Sequence, residues 1–273
     1  MTPELKKRIQ TALFGVTVLI LLLVFGEGIG AVIVAAVLSL AMLYEFTDIT
    51  ISLPDRKEKR FAILGSAWLI QVLNFWLANA EFALVSLSFL GLTCFFLFTS
   101  ERHEGEELKQ HYRELMSTVF GFIYLGFLPT YLVAIRMTSF GKHWIMLFLF
   151  IVWANDVGAY FAGKKFGKHK LFPHISPKKT WEGAWGGMGA AILIALVYKG
   201  IFFRDHLSWG GAVAIAVVLS IFAPVGDLAE SFLKRAFDKK DSSTILPGHG
   251  GFLDRFDSVI FSLPIMYVLT RLF

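Results

Sequence analysis

The sequence predicts an all-α polytopic integral membrane protein with about nine transmembrane helices, its amino terminus cytoplasmic and its carboxyl terminus outside. Three observations carry that prediction. Hydrophobic residues make up 56% of the 273-residue chain and charged residues 17%, against roughly 25% charged in a soluble domain. Apolar runs close to the ~20 residues needed to cross a bilayer recur along the whole length. Lys and Arg concentrate at the amino end and in alternate connections, which is the asymmetry that sets orientation.

The spans are expected in order around Leu19, Val37, Ile70, Phe89, Tyr124, Phe150, Ile192, Val218 and Ile265. Only the turn-forming Gly26-Glu27-Gly28 separates the first two, so they should form a tight helical hairpin. Lys6-Lys7-Arg8 before an apolar run also resembles a signal peptide, but no small-x-small cleavage site precedes the second span. A retained first helix is expected. The basic connections are the one around Arg56-Lys57-Glu58-Lys59-Arg60 and the run from Gly163 to Lys170; the opposite ones carry little beyond Arg136, Lys142, Lys199 and Arg204. An odd number of spans agrees with the inside-to-outside orientation, and the protein is expected in the inner (plasma) membrane. The polar, acid-rich stretch from Ser100 to Glu114 reads as a cytoplasmic surface helix with no assigned chemistry. Residues 1–140, with about five spans, are thus an apolar membrane half, and residues 141–273 hold nearly all the unusual polar residues and the cytoplasmic active-site loops.

Other classes are set aside on composition. The formal charge of +5 reflects the cytoplasmic bias, so no nucleic-acid partner is expected. The single Cys94 excludes an intrachain disulfide. No Walker or Rossmann glycine loop is present, and the seven histidines are scattered, so a His-based metal site is not expected.

The chemistry-bearing residues fall in four places. Asn155 and Asp156 sit near the cytoplasmic end of the sixth span, where an acidic residue is expensive and a functional candidate. Ser176-Pro177 is expected to start the seventh span, with Ser176 as N-cap and Lys178 and Lys179 in the first turn. Cations there oppose the helix dipole unless an anion is bound, which points to phosphate, with positive-inside anchoring as the rival explanation. The glycines Gly183, Gly186, Gly187 and Gly189 suit close helix packing. Span eight is expected to kink at Pro224, beyond which Asp227, Glu230, Ser231 and Lys234 share one face. The loop Pro247-Gly248-His249-Gly250-Gly251 is suited to bringing backbone amides to phosphate oxygens, and Asp254 and Asp257 share a face at the start of span nine.

The run from Ser231 to Asp257, S-x-L-K-R-x4-K-D-x-S-x2-L-P-x-H-G-G-F-x-D-R-F-D, resembles the signature of the phosphatidate cytidylyltransferases, or CDP-diacylglycerol synthases. ND-x-GAY-x2-G at Asn155–Gly163 and SPKKT-x-EG at Ser176–Gly183 resemble the same family's other motifs. The resemblance implies a membrane enzyme that makes CDP-diacylglycerol from CTP and phosphatidate. It also implies a homodimer, Mg²⁺ as the catalytic metal held by Asp227 and Asp254, and admits a potassium ion (K⁺) beside it. Ser231 is expected to support that metal site. Lys178, Lys179, Lys234, Arg235, Lys240 and Arg255 are candidates for the triphosphate and the lipid phosphate. Ser176, Asn155, Asp156, Asp241, His249, Gly250, Gly251 and Asp257 are expected to orient ligands, contact the nucleotide or hold loops. Phosphatidate is already an anion, so the reaction demands positioning and charge neutralisation more than a general base. Two other readings stand beside this one: a membrane lipid kinase or phosphosugar transferase using another nucleotide, and a secondary transporter, which would place its charges at the bilayer midplane.

Overall fold

A computed structural model describes residues 3–77, 80–246 and 250–273, apart from the side chains of residues 3–9, 11, 12 and 81. The helices are α1 (Pro3–Phe25), α2 (Glu27–Thr50), α3 (Arg56–Trp76), α4 (Glu81–Ser100), α5 (Gly105–Gly121), α6 (Thr130–Arg136), α7 (Gly141–Phe166), α8 (Trp181–Tyr198), α9 (Trp209–Ala236) and α10 (Leu253–Leu272). Single π-helical turns, Phe122–Phe127 and Lys199–Phe203, extend α5 and α8. Each predicted span centre falls inside a helix or a π turn. Among the described residues six helical stretches are long and apolar enough to cross a membrane: Glu27–Thr50, Phe82–Ser100, Gly105–Arg136, Gly141–Phe166, Trp181–Phe203 and Trp209–Ala236. Their surfaces have the character of lipid-facing helices. On α4, Phe82, Phe89, Leu90, Leu97 and Phe98 are all exposed, an arrangement that a water-soluble domain avoids.

The chain forms two compact units. The first comprises residues up to Val133 together with Phe237–Arg255. In it α2 packs on α1, α3 and α5, and α3 packs on α4. Only Gly26 separates α1 from α2, as the turn residues predict. The second unit comprises Ala134–Ala236 and Phe256–Phe273. Its centre is the close pairing of α7 with α8, with α9 against both. That pairing depends on glycine: a Cβ at Gly187 would lie 2.7 Å from the Asn155 carbonyl oxygen, and one at Gly186 would meet Ala162 at 2.1 Å. Backbones this close are what small residues at membrane-helix interfaces permit.

Two expectations are corrected. Ser176, Pro177, Lys178 and Lys179 do not begin a helix. Ser176–Thr180 is a strand, β2, paired antiparallel with β1 (Lys170–Phe172). Thr180, extended at φ −132° and ψ 155°, is the N-cap of α8, and its hydroxyl accepts the Gly183 amide at 3.1 Å. A residue before proline is pushed toward extended backbone, so Ser176-Pro177 favours the strand, and a Thr cap then stands three residues before a free amide. The second correction concerns the stretch from Ser100 to Glu114. It is helical from Gly105, where α5 starts, and most of its residues are exposed as expected, but His103, His111 and Glu114 are buried. Glu114 is sealed there because Lys59 reaches it at 2.8 Å and the Ser52 and Leu53 amides donate to it, which satisfies a carboxylate that otherwise could not be buried.

Candidate functional site

In the second unit, polar groups gather where α9 meets β2, α7 and α10. Lys179 of β2 reaches Asp227 of α9, with Nζ 2.9 Å from Oδ2, and also donates to the Pro224 carbonyl at 3.0 Å. Ser231, one turn further, donates its hydroxyl to Asp227 Oδ1 at 3.3 Å. Helix α9 continues through Pro224, whose carbonyl meets the lysine. Asp156 of α7 and Asp257 of α10 lie near enough to Asp227 and Lys179 for those charges to act on both. Gly226 makes the α9–α10 approach: a Cβ there would stand 2.8 Å from the Asp257 carbonyl oxygen and 2.7 Å from Phe261 Cβ. Asp227, Asp156 and Asp257 therefore gather near Lys179, and clustered carboxylates offer the oxygen donors that a hard divalent cation takes. Asn155, 1% exposed, lies against Gly187 of α8, and neither atom of its amide has a hydrogen-bond partner among the described residues.

The face predicted on α9 resolves into two pairs: Asp227 with Ser231, and Glu230 with Lys234 at 2.7 Å. Glu230 is buried, so Lys234 serves at least to neutralise it. The two lysines of β2 also divide, since alternate residues of a strand face opposite sides. Lys179 turns in to Asp227, whereas Lys178 is exposed. Arg235 is exposed at the end of α9.

In the first unit Ser242, Ser243 and the backbone from Gly251 to Leu253 are held by two carboxylates. Asp254 Oδ2 accepts the Ser242 amide (3.1 Å), the Ser242 hydroxyl (2.8 Å) and the Gly251 amide (2.9 Å). Glu45, near the C-terminal end of the chain's second helix, accepts three more donors and shares the Ser242 hydroxyl with Asp254. Its Oε1 takes the Ser243 hydroxyl (2.6 Å) and the Phe252 amide (2.9 Å). Its Oε2 takes the Ser242 hydroxyl (3.1 Å) and the Leu253 amide (2.9 Å). Gly250 (φ +81°) and Gly251 are dictated by this arrangement, because a Cβ at Gly251 would lie 1.9 Å from Ser242 Oγ and 2.5 Å from Glu45 Oε2. In this arrangement the Gly251 amide donates to Asp254. Lys240, Asp241 and Arg255 are exposed around this loop, and His249 lies outside the described residues.

Glu45 is the residue the sequence reading missed. The signal was there, since Glu45 is an acid inside the apolar run LSLAMLYEF, and an acid at that depth is a functional candidate by default.

The chain matches the model of the cytidylyltransferase family over residues 6–273. It belongs to the cytidylyltransferase family. Its relatives include the phosphatidate cytidylyltransferase of Brucella suis biovar 1, 35% identical over 271 residues, covering 99% of this chain and 94% of the relative. That of Staphylococcus haemolyticus is 34% identical over 271 residues, covering 97% and 98%. That of Bacillus subtilis is 44% identical over 152 residues, covering 55% of this cytidylyltransferase and 56% of the relative. The likeness thus extends through the apolar first half, which carries none of the quoted motifs.

Proposed function

We propose that this cytidylyltransferase is a phosphatidate cytidylyltransferase, forming CDP-diacylglycerol and pyrophosphate from CTP and phosphatidate. The observation that carries the reading is the family match along the whole chain, including the run from Ser231 to Asp257. A phosphate oxygen of phosphatidate attacks the α-phosphorus of CTP. The bond from that phosphorus to the oxygen bridging the α- and β-phosphates breaks, and pyrophosphate leaves with its electron pair. The nucleophile is already ionised, so the protein's task is to hold two anions together and neutralise them.

The residues fit a divalent metal. Asp227, with its side chain 40% exposed and two further carboxylates near it, supplies hard oxygen donors. Asp254 is the second carboxylate that the family motif assigns to the metal, and Ser231 supports Asp227. A bound Mg²⁺, with K⁺ beside it, would neutralise phosphate charge on the nucleotide. Lys179 holds Asp227 in place, while exposed Lys178 and Lys240 offer charge to an incoming phosphate. The same reading takes nine spans, an active site on the cytoplasmic face of the inner membrane and a homodimer. The distribution of Lys and Arg supports the orientation. The test is turnover by purified protein given labelled CTP and phosphatidate with Mg²⁺, alongside the other nucleoside triphosphates and other lipid acceptors. CDP-diacylglycerol and pyrophosphate in equal amounts are expected. Preference for another nucleotide or acceptor refutes the assignment.

A further inference from the structure

Apart from the residues assigned above, the first unit gathers a second set of ligand-type side chains among the described residues. Asp55 stands at the N-cap of α3, His103 in the connection from α4 to α5, and His111 on α5. One ligand atom from each lies within 4.8 Å of the other two. His103 Nε2 is 3.3 Å and His111 Nδ1 is 3.9 Å from the same oxygen, Asp55 Oδ2. The three side chains are only 7%, 4% and 8% exposed.

The remaining atom of each residue is turned to a different partner. His111 Nε2 donates to the Phe96 carbonyl at 2.8 Å, His103 Nδ1 faces the Glu107 carboxylate at 3.5 Å, and Asp55 Oδ1 meets Lys59 Nζ at 2.7 Å. This is the outer shell that metal-ligating histidines and carboxylates use to fix tautomer and orientation. A carbonyl can only accept, so the His111 proton sits on Nε2 and leaves a bare lone pair on Nδ1. That nitrogen is buried with no hydrogen-bond partner, and it points toward a carboxylate oxygen. Two acceptors facing each other repel unless a cation stands between them. At 3.9 Å the gap is too long for a shared proton. Tetrahedral bonds of about 2.0 Å to one metal ion would set these two atoms roughly 3.3 Å apart, so an ion would draw the pair slightly closer.

Charge points the same way. Lys59 is shared by Asp55 and Glu114, at 2.7 and 2.8 Å, so one cation serves two buried carboxylates.

We propose that Asp55, His103 and His111 form a binding site for one transition-metal dication of the zinc class, separate from the carboxylate group around Asp227. Two imidazoles and a carboxylate are a donor set that suits zinc better than magnesium. Such an ion ties the start of α3 to the connection between α4 and α5. The protein is purified in detergent with a histidine-free tag, stripped with chelator, and titrated with Zn²⁺ and separately with Co²⁺ in excess Mg²⁺. One ion per chain is expected by elemental analysis, with the visible absorption of low-coordinate cobalt. His103→Gln and His111→Gln should each weaken binding by at least about 100-fold, the upper end of what losing a mere outer-shell partner costs. Asp227→Asn should keep the ion in full. A wild-type protein that takes up no stoichiometric ion and shows no such cobalt absorption overturns the site without recourse to any variant. Unchanged affinity in both histidine variants, or loss of the ion in Asp227→Asn, overturns it equally.

Discussion

Glu45→Gln isolates what a carboxylate in the second helix does for a loop about 200 residues away in sequence. Each Glu45 oxygen accepts one hydroxyl and one backbone amide: Ser243 Oγ and Phe252 N–H on Oε1, Ser242 Oγ and Leu253 N–H on Oε2. Glutamine replaces one oxygen with a donor. The hydroxyl can rotate away, but the facing amide cannot, so one buried N–H is left unmade at a cost of about 1–3 kcal/mol. The surviving bonds also lose their charge assistance, roughly 1 kcal/mol for the pair that remains. Together about 3 kcal/mol is removed from the closed loop, near 100-fold in its opening equilibrium at 1.4 kcal/mol per tenfold. Hydrogen exchange followed by mass spectrometry in detergent reads this directly. The peptide over residues 250–254 should exchange about 100-fold faster while helices remote from the loop keep their protection. CDP-diacylglycerol formation should fall with it, because the Asp254 turn is built on the same hydroxyl of Ser242. Unchanged protection at Phe252 and Leu253 would refute the role assigned to Glu45.

If Asp227 holds the proposed metal, Asp227→Asn should lower turnover by at least about 100-fold with the protein still folded, because it removes a ligand's charge without changing shape; near-wild-type rates at saturating Mg²⁺ would sink the assignment. Lys179→Gln should cost more than Lys178→Gln, since Lys179 is bonded to Asp227 and the Pro224 carbonyl whereas Lys178 is exposed; Lys178→Gln should raise the KM for CTP or phosphatidate, about tenfold for one charge-assisted contact. Gly226→Ala should lower thermal stability by about 1–3 kcal/mol, because its Cβ would sit against Asp257, Ser258 and Phe261 and force α9 from α10; an unshifted melting curve would contradict that packing. Thr244→Cys in a Cys94→Ser background should be labelled by impermeant thiol reagents only from the cytoplasmic side, because Thr244 is exposed in the loop the positive-inside rule keeps there.

The helices were legible because a bilayer leaves the backbone little alternative, so apolar runs of span length become helices wherever they occur. The start of α8 was not. Ser176-Pro177 and Thr180 both offer helix-start chemistry, and what decided between them was pairing of β2 with β1, a contact that no local pattern announces. The cluster of Asp55, His103 and His111 was hidden for a similar reason, since its members are scattered in sequence and meet only through the packing of α3, α4 and α5. Asp227 and Lys179 were legible as unusual residues, but their contact was not. The acids around them carry the strongest physical argument for a metal. Asp156, Asp227 and Asp257 act on one another and on Lys179, and like charges gathered near membrane depth cost the fold stability unless cations compensate them. Carboxylates gathered in this way become favourable once a divalent cation and a polyphosphate arrive together, each neutralising the other. That mutual dependence predicts that CTP and Mg²⁺ bind cooperatively to the wild-type protein, and that Asp227→Asn abolishes the coupling before it abolishes nucleotide binding itself.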